Sequence, residues 1–281
     1  MAKQSISTLL RAPAGAIDLF SVDTRATPGF KKGKNAAAKA HADLAERVST
    51  LQEQLYAEGR TGGSRSVLLV LQGMDTSGKG GTVRHVVGQC DPSGLHVATF
   101  GRPTAEELEH DFLWRIRRQL PKPGKIGVFD RSHYEDVLAA RVRGIVERRV
   151  WGRRYRTINR FEEELAAAGT RVVKCFLHIS AEEQRARLLA RLEDPTKLWK
   201  YNPGDLEDRA LWDDYMVAYA DALERCSTEA APWHIVPADR KWYRNWAITR
   251  LLIEQLEDMA LEWPAADFDA EEERRRLQAI P

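Results

Sequence analysis

The chain has 281 residues, of which 43% are apolar and 30% charged, an ordinary globular mixture that argues against global disorder. Its 43 basic and 41 acidic residues leave a net charge of only +2, so the total by itself indicates no polyanionic partner. The longest purely aliphatic run, Val67–Leu71, is far shorter than a membrane span of about 20 residues, and no continuous apolar stretch before Arg11 predicts a secretory signal.

The cysteines indicate the cellular compartment. There are three, they lie far apart, and they fit neither a disulfide framework nor a metal site (Cys90, Cys175 and Cys226). Together with the missing signal and membrane span, they lead us to expect a cytoplasmic protein without a membrane partner.

The first elements in chain order are an arm and a helix. Residues 1–35 are rich in Pro, Gly and Lys and predict an irregular N-terminal arm. From Ala36 to Ala57, leucine and valine recur at helical spacing, which predicts an amphipathic helix.

Short apolar runs then alternate with helical patterns, which is typical of parallel strands joined by helices. The predicted strands are Val67–Leu71, His96–Phe100, Lys125–Asp130, Val172–Ile179 and His234–Val236. The predicted helices are Lys79–Gln89, Ala105–Arg118, Tyr155–Ala168, Ala181–Glu193, Leu206–Ser227 and Tyr243–Leu261. With neither a linker nor an internal repeat, residues 36–281 predict one α/β domain with a five-stranded parallel sheet covered on both faces.

The first predicted strand leads into Gly73-Met-Asp-Thr-Ser-Gly78-Lys79, which opens the next helix. This spacing and context match a phosphate-binding loop, where glycines let backbone N–H groups converge on phosphate and the lysine neutralises it. An ordinary glycine-rich turn is the alternative, and the strand–loop–helix context disfavours it. Gly80 occupies the place of the usual metal-binding Ser or Thr, whereas Asp75 offers a carboxylate within the loop for a hard cation.

A second acidic position ends the predicted strand at Asp130, and Arg131 follows it directly. Beside a phosphate loop, an aspartate at a strand end is a candidate metal ligand, although alone it is as often a helix cap. Arg131 can bind phosphate through two parallel hydrogen bonds. The adjacent aromatic pair, His133 and Tyr134, allows either a packing or a functional interpretation.

Basic residues concentrate next to this candidate site. From Arg115 to Arg160 there are fourteen Lys or Arg and four Asp or Glu, a local net charge of +10. Between Arg141 and Arg160 eight arginines face one acid, Glu147, which favours a polyanion groove over a solvated surface. A further basic cluster around Arg187, Arg191 and Lys197 suits a lid that closes on phosphates, while i,i+4 ion pairing with Glu183 is a plausible alternative for Arg187.

Taken together, several motifs resemble those of the family 2 polyphosphate kinases. The resemblance spans roughly Ala36 to Leu261 and is far more specific than a phosphate loop alone. It is carried by Gly73-Met-Asp-Thr-Ser-Gly-Lys-Gly-Gly-Thr82, Pro103-Thr104, Asp111-Phe-Leu-Trp-Arg115, Asp130-Arg-Ser-His-Tyr-Glu-Asp-Val137, Asp194-Pro-Thr-Lys-Leu-Trp-Lys200, Trp212-Asp-Asp-Tyr215 and Ala231-Pro-Trp-His234.

The resemblance implies reversible phosphoryl transfer between inorganic polyphosphate and purine nucleotides, with Mg²⁺ as cofactor. It also implies a three-layer α/β/α kinase core, a helical lid within about residues 181–215, and a homo-oligomer that is a dimer of dimers. The implied catalytic residues are Asp75, Lys79, Asp130 and Arg131, with Asp75 and Asp130 also holding the metal. The predicted phosphate-binding set is Gly73, Gly78, Gly80, Arg131, Arg153, Arg154, Arg191 and Lys197.

The acceptor range stays open at this point. Glu135, after Tyr134, is similar to relatives that accept both nucleoside mono- and diphosphates, whereas Asp130 is similar to the diphosphate-specific pattern. We therefore expect ADP and GDP as acceptors, leave AMP open, and assign acceptor selectivity to Tyr134 and Glu135.

Two other classes of function share some of these features. An ATP-dependent kinase of a nucleoside or small metabolite would have the same loop, but it has no need of so basic a groove. A non-enzymatic polyanion- or nucleic-acid-binding protein would use the arginines, but the basic block carries few aromatic residues for stacking bases, so we expect no nucleic-acid partner.

Overall fold

A computed structural model describes residues 4–281, and the first three residues of the predicted arm lie outside the described residues. Its centre is one sheet of five parallel strands in the order β2-β3-β1-β4-β5. The strands are β1 (Ser66–Gln72), β2 (Leu95–Thr99), β3 (Ile126–Asp130), β4 (Thr170–His178) and β5 (Trp233–Pro237). All seven residues of β1 are buried, which explains its central apolar run, Val67–Leu71. The predicted parallel sheet is confirmed.

The helices cover both faces of this sheet. They are α1 (Ile6–Leu10), α2 (Lys34–Arg60), α3 (Lys79–His85), α4 (Ala105–Leu108), α5 (Trp114–Arg117), α6 (Ala139–Val142), α7 (Arg148–Ala167), α8 (Ala181–Leu192), α9 (Gly204–Ala210), α10 (Trp212–Cys226), α11 (Lys241–Glu257) and α12 (Ala270–Gln278). Successive β1 side chains enter two separate cores, Leu69 with α2 and α11, and Leu68 with α7 and α10. The predicted three layers are therefore confirmed.

Two predicted helices are each divided in the structure. The stretch 105–118 forms α4 and α5, and in the turn between them the Asp111 carboxylate accepts a hydrogen bond from the Leu113 amide. The stretch 206–227 breaks at Leu211, between α9 and α10. In contrast, α7 begins seven residues before its predicted start at Tyr155, because its arginine-rich first turns show no apolar periodicity.

The N-terminal arm is more ordered than predicted. Ile6 and Leu10 of α1 are buried in the core, and the Glu254 carboxylate accepts hydrogen bonds from the first amides of that helix. After α1 the Ala12 amide donates to the Trp233 carbonyl, and Arg11 pairs antiparallel with His234. The arm therefore covers the edge of β5. An uncovered edge strand would expose unpaired backbone groups that can pair with another chain.

Within residues 4–281, no helix is both long enough and apolar enough to cross a membrane.

Candidate active site

The phosphate loop, residues 73–79, lies between β1 and α3 and depends on two glycines. Gly73 and Gly78 have φ angles of 149° and 108°, in the region that favours glycine. A Cβ on Gly78 would lie 1.7 Å from the Arg244 guanidinium, and one on Gly73 would lie 2.6 Å from the Leu177 carbonyl oxygen. Gly80 differs, since a Cβ there would meet nothing within 4 Å. Packing thus requires the first two glycines and leaves Gly80 open.

Lys79 is folded back over this loop. Its side chain is buried, and Nζ donates to the carbonyl oxygens of Gly73 at 2.8 Å and Met74 at 3.4 Å. Burial and the positive charge of Arg131 lower the pKa of Lys79, while the nearby carboxylates of Asp75, Asp130 and Glu135 oppose that change. All the predicted charged catalytic groups therefore lie within electrostatic range of Lys79.

Asp75 forms an ion pair with Arg131, at 2.7 Å between Oδ1 and Nη2. Burial alone would raise the pKa of Asp75, but the charges of Lys79 and Arg131 outweigh it and hold the pKa below its usual value. The carboxylate is ionised at neutral pH. Its other oxygen, Oδ2, has no hydrogen bond within residues 4–281, so it is available as a ligand.

Glu135 lines the same cleft as Asp75. Its Oε1 accepts a hydrogen bond from Gln72 Nε2 at 3.1 Å. Burial raises the pKa of Glu135, although Arg131 and Lys79 act against that rise. Asp130, half-buried, ends β3 in register with Leu71 of β1, directly beside the start of the phosphate loop.

Asp75, Arg131 and Glu135 line a cavity of about 590 Å³, together with Gly73 and Met74 of the phosphate loop. Arg143, Arg154 and Tyr215 also line it, whereas Lys79 and Asp130 are not among its lining residues. Such a concave pocket with a few convergent charged groups is the expected form of a small-molecule site.

The donor atoms fit a hard cation only in part. Residues 4–281 contain no group of three or more His, Cys, Asp or Glu placed to hold a metal ion. Asp75 and Asp130 supply carboxylate oxygens, and the buried Gln72 Oε1 has no hydrogen-bond partner. Mg²⁺ is often held by one or two carboxylates together with substrate phosphates, and this donor set is compatible with that arrangement.

Seven of the eight arginines between Arg141 and Arg160 fall into two groups, and the eighth, Arg148, is exposed at the start of α7. Three of the seven form ion pairs with acids from elsewhere in the chain: Arg141 with Asp221, Arg143 with Asp208, and Arg154 with Asp136. The sequence count of one opposing acid therefore overstated the uncompensated charge.

The second group lies along the exposed side of α7, at intervals of four, three and four residues. We call it the arginine stripe, and it consists of Arg149, Arg153, Arg156 and Arg160. Arg149 and Arg160 approach Glu147 and Glu164, whereas Arg153 and Arg156 form no ion pair within the described residues.

The predicted lid residues occupy different positions. Arg191 of α8 donates to the Lys200 carbonyl at 3.0 Å and approaches Asp205, and its charge also lowers the pKa of Asp75. Lys197, in contrast, is exposed and pairs with Asp194 at 2.6 Å. Of the two, only Arg191 acts electrostatically on the site.

Tyr134 lies behind the cleft. Its side chain is fully buried, and its hydroxyl is engaged by Glu162 and Lys174 in the core. Of the two residues predicted to select the acceptor, Glu135 therefore lines the cleft and Tyr134 does not.

Two arginines contact the loop: Arg187, which the sequence pattern placed in a lid, and Arg244, which no pattern marked. Arg187 donates to the carbonyls of Thr76 at 2.8 Å and Ser77 at 3.2 Å, and Arg244 donates to Ser77 at 3.3 Å. Burial and the neighbouring Arg187 lower the pKa of Arg244 to about 10. Arg187 also forms the predicted ion pair with Glu183 at 2.7 Å. No local pattern marks Arg244, because α11 reaches the loop only through the fold.

Comparison with known proteins identifies this arrangement. The family model described as Polyphosphate kinase 2 matches residues 31–264. The chain is 49% identical to the AMP/ADP-polyphosphate phosphotransferase of Meiothermus ruber, over 92% of this chain and 96% of that one. It is 42% identical to the ADP-polyphosphate phosphotransferase of Rhodopseudomonas palustris, over 88% of each.

A solved structure gives the same result. The crystal structure of Polyphosphate Kinase 2 from Arthrobacter aurescens TC1 superposes with a TM-score of 0.96 at 49% identity, covering 99% of this chain and 98% of that one. The chain therefore belongs to the polyphosphate kinase 2 family, and its activity is phosphoryl transfer between polyphosphate and nucleotides.

Proposed function

We propose that the chain reversibly moves the terminal phosphoryl group of inorganic polyphosphate onto ADP and GDP, with Mg²⁺, and that it also accepts AMP. The observation that carries this proposal is the convergence of Asp75, Lys79, Asp130, Arg131 and Glu135 on one phosphate loop. Lys79 and Arg131 can neutralise phosphate oxygens, and the carboxylates can hold the metal cation that phosphoryl transfer needs.

The chain's own residues position and neutralise the reacting phosphates. Backbone N–H groups of the glycine loop and the start of α3 face a phosphate, and Lys79 leaves its loop carbonyls to bind it. The acceptor phosphate oxygen attacks the terminal phosphorus while the bond to the bridging oxygen breaks, and the electron pair stays on the shortened polymer. Arg131 stabilises the negative charge during this transfer.

Mg²⁺ would be held by Asp75 Oδ2 and Asp130. When bound, it would neutralise phosphate oxygens and orient them. The ionised state of Asp75, enforced by Lys79 and Arg131, suits this role.

Acceptance of AMP is supported by Glu135. This carboxylate faces the cleft beside Arg131, and we propose that it stands where a second acceptor phosphate would otherwise supply negative charge. The relative at 49% identity is named for both AMP and ADP, whereas the one at 42% is named for ADP alone.

The arginine stripe is our proposed path for the long polymer outside the cleft. Arg154 lines the cleft on the same helix, so a chain leaving the site can continue along the exposed guanidiniums. Its periodic charge suits a repeating polyanion without bases. Phosphate contacts by Arg191 and Lys197 would then belong to closure of the lid.

We further propose a homo-oligomer, a dimer of dimers, in the cytoplasm. The three cysteines are free and buried, which suits a reducing compartment. Light scattering on the purified chain measures the subunit number directly.

One assay tests the central proposal. The chain is incubated with polyphosphate, Mg²⁺ and AMP, ADP, GMP or GDP, and the nucleotides are separated by anion exchange. We expect ATP from ADP, GTP from GDP and ADP from AMP. Transfer only in a parallel incubation with ATP in place of polyphosphate would favour a small-metabolite kinase, and binding without transfer would favour a polyanion-binding protein.

A further inference from the structure

A fully buried polar cluster lies behind the active-site segment that follows β3. It joins Lys174 of β4, Glu162 of α7, His133 and Tyr134, and none of the four side chains is exposed. Lys174 Nζ donates to Glu162 Oε2 at 2.5 Å, to the Tyr134 hydroxyl at 2.8 Å and to the Cys226 carbonyl at 2.6 Å.

Both oxygens of Glu162 are engaged by this cluster. Oε2 meets Lys174, while Oε1 accepts from the Tyr134 hydroxyl at 2.9 Å and lies 3.1 Å from His133 Nε2. Burial would raise the pKa of Glu162, but Lys174 and His133 outweigh it and keep the carboxylate ionised. Burial also raises the pKa of Tyr134, which keeps its hydroxyl protonated as a donor.

Stability alone gives no clear reason for such a cluster. Burying an ion pair costs desolvation energy that its attraction often fails to recover, and well-packed apolar residues commonly stabilise as much. The cluster sits among the apolar residues that surround α7 and α10, where such side chains would fit. The contacts of the cluster with neighbouring residues therefore indicate a role beyond stability.

Its contacts lead directly to the cleft. Tyr134 lies between two cleft residues, Arg131 and Glu135, with the buried Ser132 accepting the Tyr134 amide hydrogen bond. Arg131 has a φ angle of 65°, a left-handed conformation that is unfavourable for a non-glycine residue. Such a turn persists only where its surroundings enforce it.

We propose that the Lys174–Glu162 pair, acting through Tyr134 and His133, is a positioning device that fixes Arg131 and Glu135 at the cleft. This inference rests on the proposed roles of those two residues in phosphoryl transfer. The core holds the middle of the segment while its two ends face the substrate. Lys174 and Glu162 touch no substrate and act only through the segment.

Tyr134→Phe tests the inference, since it removes one hydroxyl and keeps the ring. The matched control is Tyr155→Phe, which removes a hydroxyl from the same core layer, where it contacts Arg141 instead. We expect Tyr134→Phe to lower kcat about tenfold per folded molecule, with the polyphosphate KM within twofold of the parent. Its melting temperature should stay close to that of the control.

A double-mutant cycle identifies the route of the effect. If Tyr134 acts by placing Glu135, the loss of kcat in Tyr134→Phe combined with Glu135→Gln will be smaller than the product of the two single losses. Independent, multiplicative losses would overturn the inference, as would a Tyr134→Phe enzyme with the parent's kcat.

Hydrogen exchange gives a readout that needs no activity. Amides of residues 131–137 should exchange faster in Tyr134→Phe than in Tyr155→Phe, and unchanged protection would overturn the inference even if the parent proved inactive. An inactive parent would refute the proposed function separately. Should Tyr134→Phe fail to fold, His133→Gln probes the same carboxylate, with the same outcomes for and against.

Discussion

Asp75 is an acidic residue inside the predicted phosphate-binding loop, and the charges of Lys79 and Arg131 stabilise its carboxylate there. Lys79 and Arg131 hold its pKa low despite its burial, so the carboxylate keeps its charge where neighbouring phosphates would otherwise favour protonation. A group whose charge is maintained at this electrostatic cost is a strong candidate for a metal contact.

Replacing Asp75 with Asn preserves its shape and removes its charge. We expect kcat to fall at least a hundredfold at saturating Mg²⁺, because a carboxylate ligand is lost, while the melting temperature changes by no more than a few degrees. Asp214→Asn, at an exposed position of α10, is the control. Steady-state kinetics and thermal unfolding provide the test, and near-parental turnover would refute the metal role.

Glu135 is expected to distinguish the two acceptors. In Glu135→Gln, kcat/KM for AMP should fall at least tenfold more than kcat/KM for ADP, because ADP brings its own additional phosphate to the cleft. Parallel assays with both nucleotides at fixed polyphosphate measure the ratio. Equal losses would show that Glu135 serves the fold or the chemistry, and not acceptor choice.

Helix α7 has two sides with different environments. One side contributes Tyr155, Ile158, Phe161 and the charged Glu162 to the core. The opposite side presents the arginine stripe to solvent. The helix thus supports the segment behind the cleft and offers a basic surface beside it.

Neutralising the middle of the arginine stripe should weaken the binding of long polyphosphate but not that of the nucleotide. In Arg153→Gln with Arg156→Gln, we expect a several-fold higher KM for long polyphosphate and an ADP KM within twofold of the parent. Because fewer counterions are released, the slope of log affinity against log salt should shrink by about one to two.

The control for this pair is Arg274→Gln with Arg276→Gln on α12, which removes the same charge far along the chain. A parental KM and salt slope would contradict the proposed path. A parental KM with a smaller particle in light scattering would instead assign the stripe to a subunit interface.

In the molecule as a whole, the N-terminal arm packs along β5, the edge strand of the sheet. His234 on β5 lies at this junction, with Nδ1 3.1 Å from the Lys174 carbonyl oxygen and Nε2 3.2 Å from Ser7 Oγ. Burial is the main reason that the pKa of His234 falls to about 4. The N-terminal docking is thus connected to a buried neutral imidazole.

This connection predicts acid sensitivity. Between about pH 6.5 and 4 the unfolded chain binds a proton at His234 that the folded chain does not, so stability is complete above this window and decreases as pH falls through it. The loss is at most about 3 kcal/mol. Urea unfolding at pH 7.5 and pH 5 should show a smaller decrease for His234→Gln than for the parent. The exposed His110→Gln is the control, and equal decreases in parent and His234→Gln would exclude this site as the cause.

Short stretches of sequence encode the features that depend only on neighbouring residues. Runs of a few residues encode the burial of the strands and the phosphate loop from Gly73 to Lys79. They also encode the position of Asp130 and Arg131 at a strand end. Apolar periodicity and glycine spacing act locally, which is why they can be read without a structure. The family resemblance consists of the same short motifs.

Ion pairs between residues that are distant in sequence become evident only in the folded structure. Arg141 pairs with Asp221 and Arg143 with Asp208, far apart in sequence, which removes both from the apparently uncompensated block. Tyr134 is adjacent to the cleft residue Glu135, yet its side chain points into the core. There its hydroxyl forms hydrogen bonds with Glu162 and Lys174. The physical reason is that charges pair by distance in space, and that distance is fixed only when helices and strands pack together.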